Sequence, residues 1–151
     1  MIRLTEEPFE PGALLSRFSR GRSETGAVAT FTGLARAERG GTTVLELEAY
    51  PGFTEAEIGK IAEQARTRFS LDDLLILHRV GKIAPGEAIV FVATAAAHRR
   101  AAFEACDFLM DYLKSRAPFW KKEHGPAGAR WIQPTDQDRA DVGRWEEEKA
   151  R

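Results

Sequence analysis

A chain of 151 residues, 43% hydrophobic and 30% charged, has the size and composition of one soluble domain, or one domain with a small appendage. The formal net charge of -1 argues against bulk nucleic-acid binding, so any anion site must be a local concentration of cations. One cysteine, Cys106, excludes an internal disulfide and agrees with a reducing, cytoplasmic setting.

In chain order, Pro11 to Phe18 reads as a short helix with proline near its start. Gly26 to Arg36 is rich in β-branched residues and reads as a strand. Glu38 to Gly41 forms a loop, and Thr43 to Tyr50 alternates apolar and acidic residues as a half-exposed strand does. Pro51-Gly52 breaks it. Thr54 and Glu57 then have the spacing of a capping box, with Phe53 placed to staple onto Ile58. Ile58, Ile61, Ala62, Ala65 and Phe69 follow at helical spacing, which predicts a helix over 54–69. Leu74 to Val80 and Ala88 to Ala95 are two apolar runs separated by Pro85-Gly86 and read as buried strands. A long helix is expected from about His98 to Arg116, with Phe103, Cys106, Met110 and Leu113 on its apolar stripe, stopped by Pro118. Arg130 to Gln133 is a candidate last strand.

The longest apolar run, Ala88 to Ala97, is too short to span a bilayer, and the acids after Leu4 do not suit a signal peptide. Residues 1–134 are expected to form one domain. The charged segment from Thr135 to Arg151, with Trp145 as its only aromatic, is expected to be flexible or to clip onto a partner. Helices and strands mix without strict alternation, which points to the α+β class.

Three segments could carry chemistry. Ala97-His98-Arg99-Arg100 opens the long helix with cations and no acid. That is unfavourable beside the helix dipole unless an anion such as phosphate binds there, or unless the arginines point to solvent. Lys114 to Lys122 holds four cations, no acid, and Phe119 and Trp120 as apolar walls. Lys114 and Arg116 there could simply complement the helix C-terminus. On a helical wheel, however, Lys114 falls beside Met110 at the edge of the apolar stripe. Partial burial among other cations would lower its pKa and suit it to act as base or nucleophile. Phe31 to Arg36 is a weaker candidate, in which Gly33 permits close backbone approach and Arg36 could reach a phosphate. His78, in an apolar strand, reads as structural, His124 as a loop residue and Cys106 as a packing residue. The histidines and the cysteine lack metal-ligand spacing, and no phosphate loop or dinucleotide fingerprint is present, so neither a metal nor a cofactor is expected. His98 and Lys114, 16 residues apart on one helix, stand about 24 Å apart at ~1.5 Å per residue. A single small-molecule site could use both only by drawing them from two subunits of a symmetric dimer.

The stretches Gly26 to Arg36, Tyr50 to Glu55, His78 to Glu87, Ala97 to Arg99, Phe103 to Lys114 and Arg116 to Glu123 together resemble the large, catalytic subunit of molybdopterin synthase. The resemblance covers most of residues 26–133 and implies an α/β hammerhead fold. It also implies a homodimer that binds two small ubiquitin-like sulfur carriers, two large plus two small subunits in all. The carrier's Gly-Gly tail, ending in a thiocarboxylate, would enter a pocket of the large subunit. Sulfur would pass to cyclic pyranopterin monophosphate and build the molybdopterin dithiolene. By the same resemblance Lys114 and Lys121 line the reaction centre with Arg36 close by. His98 and Arg99 of the partner subunit would bind the anionic end of the substrate, and Phe31 and Met110 would shape the pocket. The sequence departs from the family pattern at its ends. Some members carry a further basic residue near the position of Thr135. Two other readings are a non-catalytic adaptor that binds a ubiquitin-like tail and an RNA-binding module. Retention of both lysines weighs against the first, and the net charge against the second.

Overall fold

The computed structural model describes residues 1–37, 44–126 and 128–149. The expected loop at Glu38 to Gly41, and Thr43, lie outside these residues. The elements in chain order are β1 (Ile2–Thr5), α1 (Pro11–Ser19), β2 (Ala27–Leu34), β3 (Val44–Ala49), α2 (Phe53–Phe69), β4 (Asp73–Arg79), β5 (Gly81–Ile83), β6 (Ala88–Ala96), α3 (Arg99–Ser115), β7 (Phe119–Gly125), β8 (Gly128–Ile132) and α4 (Asp136–Lys149). The protein is α+β, as its mixed pattern of elements suggested. The described strands form two four-stranded sheets, in the orders β1-β4-β6-β2 and β5-β3-β7-β8. Only β1 and β4 pair in parallel.

The first sheet is covered on both faces, and strand alternation decides which residue meets which layer. Leu74 and Ile76 of β4 and Val90 and Val92 of β6 pack with Ile58, Ile61, Phe108 and Leu109 of α2 and α3. The intervening residues Leu77, Phe91, Ala93 and Ala95 meet Phe18 of α1 on the other face. Double burial explains why both strands read as continuous apolar runs rather than alternating ones.

Several local expectations change. Thr54 does not cap α2. It lies within the helix, where its hydroxyl accepts from the Tyr50 N–H at 2.8 Å and donates to the Pro118 carbonyl at 2.9 Å. Gly52, at φ 78°, holds the cap position instead, and Glu57 pairs with Lys60. Phe53 is 57% exposed rather than stapled, and Phe103 is 66% exposed rather than part of the α3 stripe. Buried positions on α3 are Ala102, Ala105, Cys106, Phe108, Leu109, Tyr112 and Leu113, so the apolar face is rotated away from Phe103. The basic run after Pro118 forms β7, and His124, expected in a loop, lies on that strand with Nε2 2.6 Å from Glu46 Oε2.

The charged segment after Thr135 is helical and docks on α3. Val142 and Trp145 are buried, and the Trp145 ring meets Phe69 and Phe108 edge-on at centroid distances of 5.9 and 5.5 Å. Trp145 Nε1 donates to Asp111 at 2.6 Å, Arg144 pairs with Asp107 and Asp111, and Arg116 pairs with Glu146. Few apolar residues are needed because the charges of α4 find complements on α3.

Candidate active site

The two sheets, the C-terminal end of α3 and the start of α4 enclose a cavity of about 260 Å³. Met110, Leu113 and Lys114 face it because they are spaced i, i+3 and i+4 along α3, and Ala117 joins them just past the helix end. Phe31 and Gly33 reach it from one face of β2. A Cβ at Gly33 would stand 2.8 Å from Val90 Cγ1 and 3.3 Å from the Phe31 ring, so only glycine lets that wall close. The pairing of β2 with β6 is irregular between Gly33 and Leu34, which turns the strand end at the rim. Lys121 enters from β7, held between Leu47 of β3 and Ile132 of β8.

Four of the expected site residues, Phe31, Met110, Lys114 and Lys121, therefore meet in one cavity. Their electrostatics differ from the expectation in one respect. Lys114 is exposed, whereas Lys121 is half-buried. Burial lowers the Lys121 pKa, the Lys114 charge lowers it further, and Asp138 partly opposes both. The more buried lysine is thus the strand residue rather than the helix residue. Neither ammonium has a hydrogen bond or ion pair among the described residues. The cavity accordingly presents two cations, with free donors, against apolar walls.

Two lining residues escaped the sequence reading. His78 is 7% exposed and lies on the α3-facing side of β4, two residues beyond Ile76. Its ring stacks on Phe119 at 4.2 Å and 20°, and Nδ1 lies 2.8 Å from the Arg79 carbonyl. Burial lowers its pKa, the bond to that carbonyl raises it in part, and Lys121 and Lys114 lower it again, to about 4. His78 is therefore neutral at pH 7. Asp138 is the second. The Thr135 N–H donates to its carboxylate at 2.9 Å, and its own N–H donates to Thr135 Oγ1 at 3.1 Å, a reciprocal cap at the start of α4. Burial pushes the Asp138 carboxyl up, but the bonds from Thr135 and the charges of Lys114 and Lys121 outweigh it and leave its pKa below the usual value. The signal for Asp138 was the Thr135-x-x-Asp138 spacing. For His78 it was strand parity.

The remaining expected residues lie elsewhere on this chain. Arg36 is exposed, two residues past β2, and does not line the cavity. His98 and Arg99, with Arg100, Ala97 and Gly26, border a separate open cleft at the start of α3. The first turn of α3 carries no acid and His98 makes no side-chain cap. A Cβ at Gly26 would fall 2.0 Å from the Ala97 carbonyl oxygen, so glycine is required where β2 passes that corner. Cys106 is buried, and burial first, then Asp107, pushes its thiol up to about 12, so it is an inert packing residue.

A half-closed cavity with apolar walls and two donor-rich cations is suited to an anionic group. Comparison with known proteins gives the family: residues 4–116 match the MoaE protein family, and the chain belongs to it. It is 72% identical over 148 residues to a Caulobacter vibrioides protein named molybdopterin synthase catalytic subunit, covering 98% of this chain and 99% of that one. The solved structure of a molybdopterin biosynthesis MoaE protein from Burkholderia ambifaria superposes with a TM-score of 0.83 at 42% identity, covering 97% of each chain. That of molybdopterin synthase from Staphylococcus aureus gives 0.77 at 28% identity, covering 85% of this chain and 94% of that one.

Proposed function

We propose that this chain is the catalytic subunit of a molybdopterin synthase. It draws sulfur from the thiocarboxylated Gly-Gly tail of a small ubiquitin-like carrier and transfers it to cyclic pyranopterin monophosphate, forming the dithiolene of molybdopterin. The observation that carries this reading is the pair of unpartnered ammonium groups, Lys114 and Lys121, in one apolar-walled cavity. The names of the relatives support it. Within the cavity the lysines attract the anionic tail and stabilise the oxyanion that forms when the thiocarboxylate is consumed. Burial and the Lys114 charge lower the Lys121 pKa, so this ammonium gives up its proton more readily than an ordinary lysine does. Phe31 and Met110 shape the walls.

His98 and Arg99 lie at the far end of α3, about 24 Å from Lys114 at ~1.5 Å per residue. They serve a site completed across a homodimer, where they hold the substrate phosphate, and Arg36 joins it from the rim. The assembly is two large and two small subunits. No described helix is long and apolar enough to cross a membrane, and the lone buried cysteine suits a cytoplasmic setting.

The test is reconstitution. The chain is mixed with a thiocarboxylated carrier and the cyclic pterin, and molybdopterin is assayed. Product should form, and Lys114→Ala should lower the rate on the order of 100-fold with fold and dimer intact. Lys114→Arg separates roles. Full activity in that variant would make Lys114 an electrostatic clamp rather than a proton carrier. A chain that binds the carrier but makes no product is an adaptor, and the proposal fails.

A further inference from the structure

The cavity holds one feature that its two lysines do not explain. Nδ1 of His78 faces a carbonyl, which can only accept, so the hydrogen of the neutral ring sits on Nδ1 and Nε2 keeps a lone pair. The ring cannot turn freely, because rotation would break both that bond and the stack on Phe119. Nε2 has no hydrogen-bond partner among the described residues, and it is not sealed from the cavity. A fixed, neutral acceptor thus stands in a wall whose other polar groups are mainly donors. The second acceptor, Asp138, is engaged by Thr135.

Donors and a fixed, neutral acceptor in one small space suit a ligand that carries both an anionic end and an N–H close to it. A C-terminal glycine meets this description, since its peptide N–H is separated from the terminal acid by a single methylene. We propose that His78 is the residue that reads the carrier tail, its Nε2 accepting a hydrogen bond from the last peptide N–H while Lys114 and Lys121 hold the terminal acid. The proposal rests on the function proposed above. It gives His78 a positioning role: the bond fixes the tail in register so that the acyl carbon lies between the ammonium groups.

The experiment uses the full chain and a ubiquitin-like carrier in its Gly-Gly carboxylate form, prepared by ligation with either an amide or an ester before the final residue. The ester removes the one N–H and changes little else. Affinities are measured by calorimetric titration. The native chain should bind the ester form on the order of 10-fold more weakly, the scale of a lost neutral hydrogen bond. His78→Phe keeps the stack on Phe119 and should bind both forms alike. His78→Gln, which can set a carbonyl oxygen near the place of Nε2, should restore part of the discrimination. In turnover, His78→Phe should raise KM for the amide carrier more than it lowers kcat. Equal binding of amide and ester by the native chain overturns the role of His78 and leaves the proposed function standing. Discrimination that persists in His78→Phe also overturns it. If neither carrier binds the native chain, the functional reading fails and the inference with it. Should His78→Phe not fold, the native amide–ester comparison and His78→Gln decide the matter.

Discussion

Replacing Lys121 by methionine should make this protein more stable and inactive at once. Methionine has nearly the length of lysine and suits a wall already formed by Met110, Leu113 and Ile132. Lys121 is half-buried, its ammonium has no hydrogen-bond partner among the described residues, and Lys114 repels it. A fully buried, unsatisfied polar group costs about 1–3 kcal/mol. Lys121 keeps some contact with the cavity, so a gain of ~1 kcal/mol is expected, or roughly 2–4 °C in melting temperature for a chain of this size. The gain should depend on pH. The folded chain holds the Lys121 proton less tightly than the unfolded chain, whose value is near 10.5. Native stability therefore rises with pH across the interval between the folded value and 10.5. Below the folded value the penalty is complete and Lys121→Met should show its largest advantage, which should shrink as the pH rises from that value towards 10.5. Scanning calorimetry at several pH values, paired with the molybdopterin assay, reads both effects. Lys114→Met is the control. It is exposed, so its stability should change by no more than about 0.5 kcal/mol. A Lys121→Met protein that melts below the native one, or that still transfers sulfur, would refute the reasoning.

Two more predictions concern parts of the chain outside this cavity. Subunits carrying His98→Ala and Arg99→Ala, mixed with Lys114→Ala subunits, should regain activity through heterodimers with one intact site. Confirmed subunit exchange without activity would sink the shared site. Trp145→Ala should cost as much as about 3–5 kcal/mol, the usual loss for a buried large aromatic, or detach α4 at a smaller cost; limited proteolysis should then cut near Thr135, and an uncut segment with an unchanged melting temperature would contradict the packing of α4.

Much of the fold was legible in the sequence because local periodicity reports directly on burial. Ile58, Ile61, Ala62 and Ala65 mark one face of α2, and all are buried. The unbroken apolar runs of β4 and β6 follow from a sheet covered on both faces. The cationic segments were equally visible, since charge is a property of composition. Other features depended on contacts distant in the chain. The sequence allowed Lys114 and Lys121 to exchange environments. It is the pairing of β7 between β3 and β8 that withdraws Lys121 in part from water, while Lys114 stays exposed. The C-terminal charges read as a segment that is flexible or clips onto a partner because their complements, Asp107 and Asp111 on α3 and Arg116 just past its end, are not nearby in sequence. His78 read as structural because its strand is apolar, yet parity and the arrival of Phe119 turn it into the neutral acceptor of a cationic cavity. Residue types and local spacing settled the central strands, the two long helices and which charges are available. Packing of the two sheets settled which of those charges lose water and which atoms remain without a partner, because desolvation is fixed by neighbours that the chain brings together only when it folds.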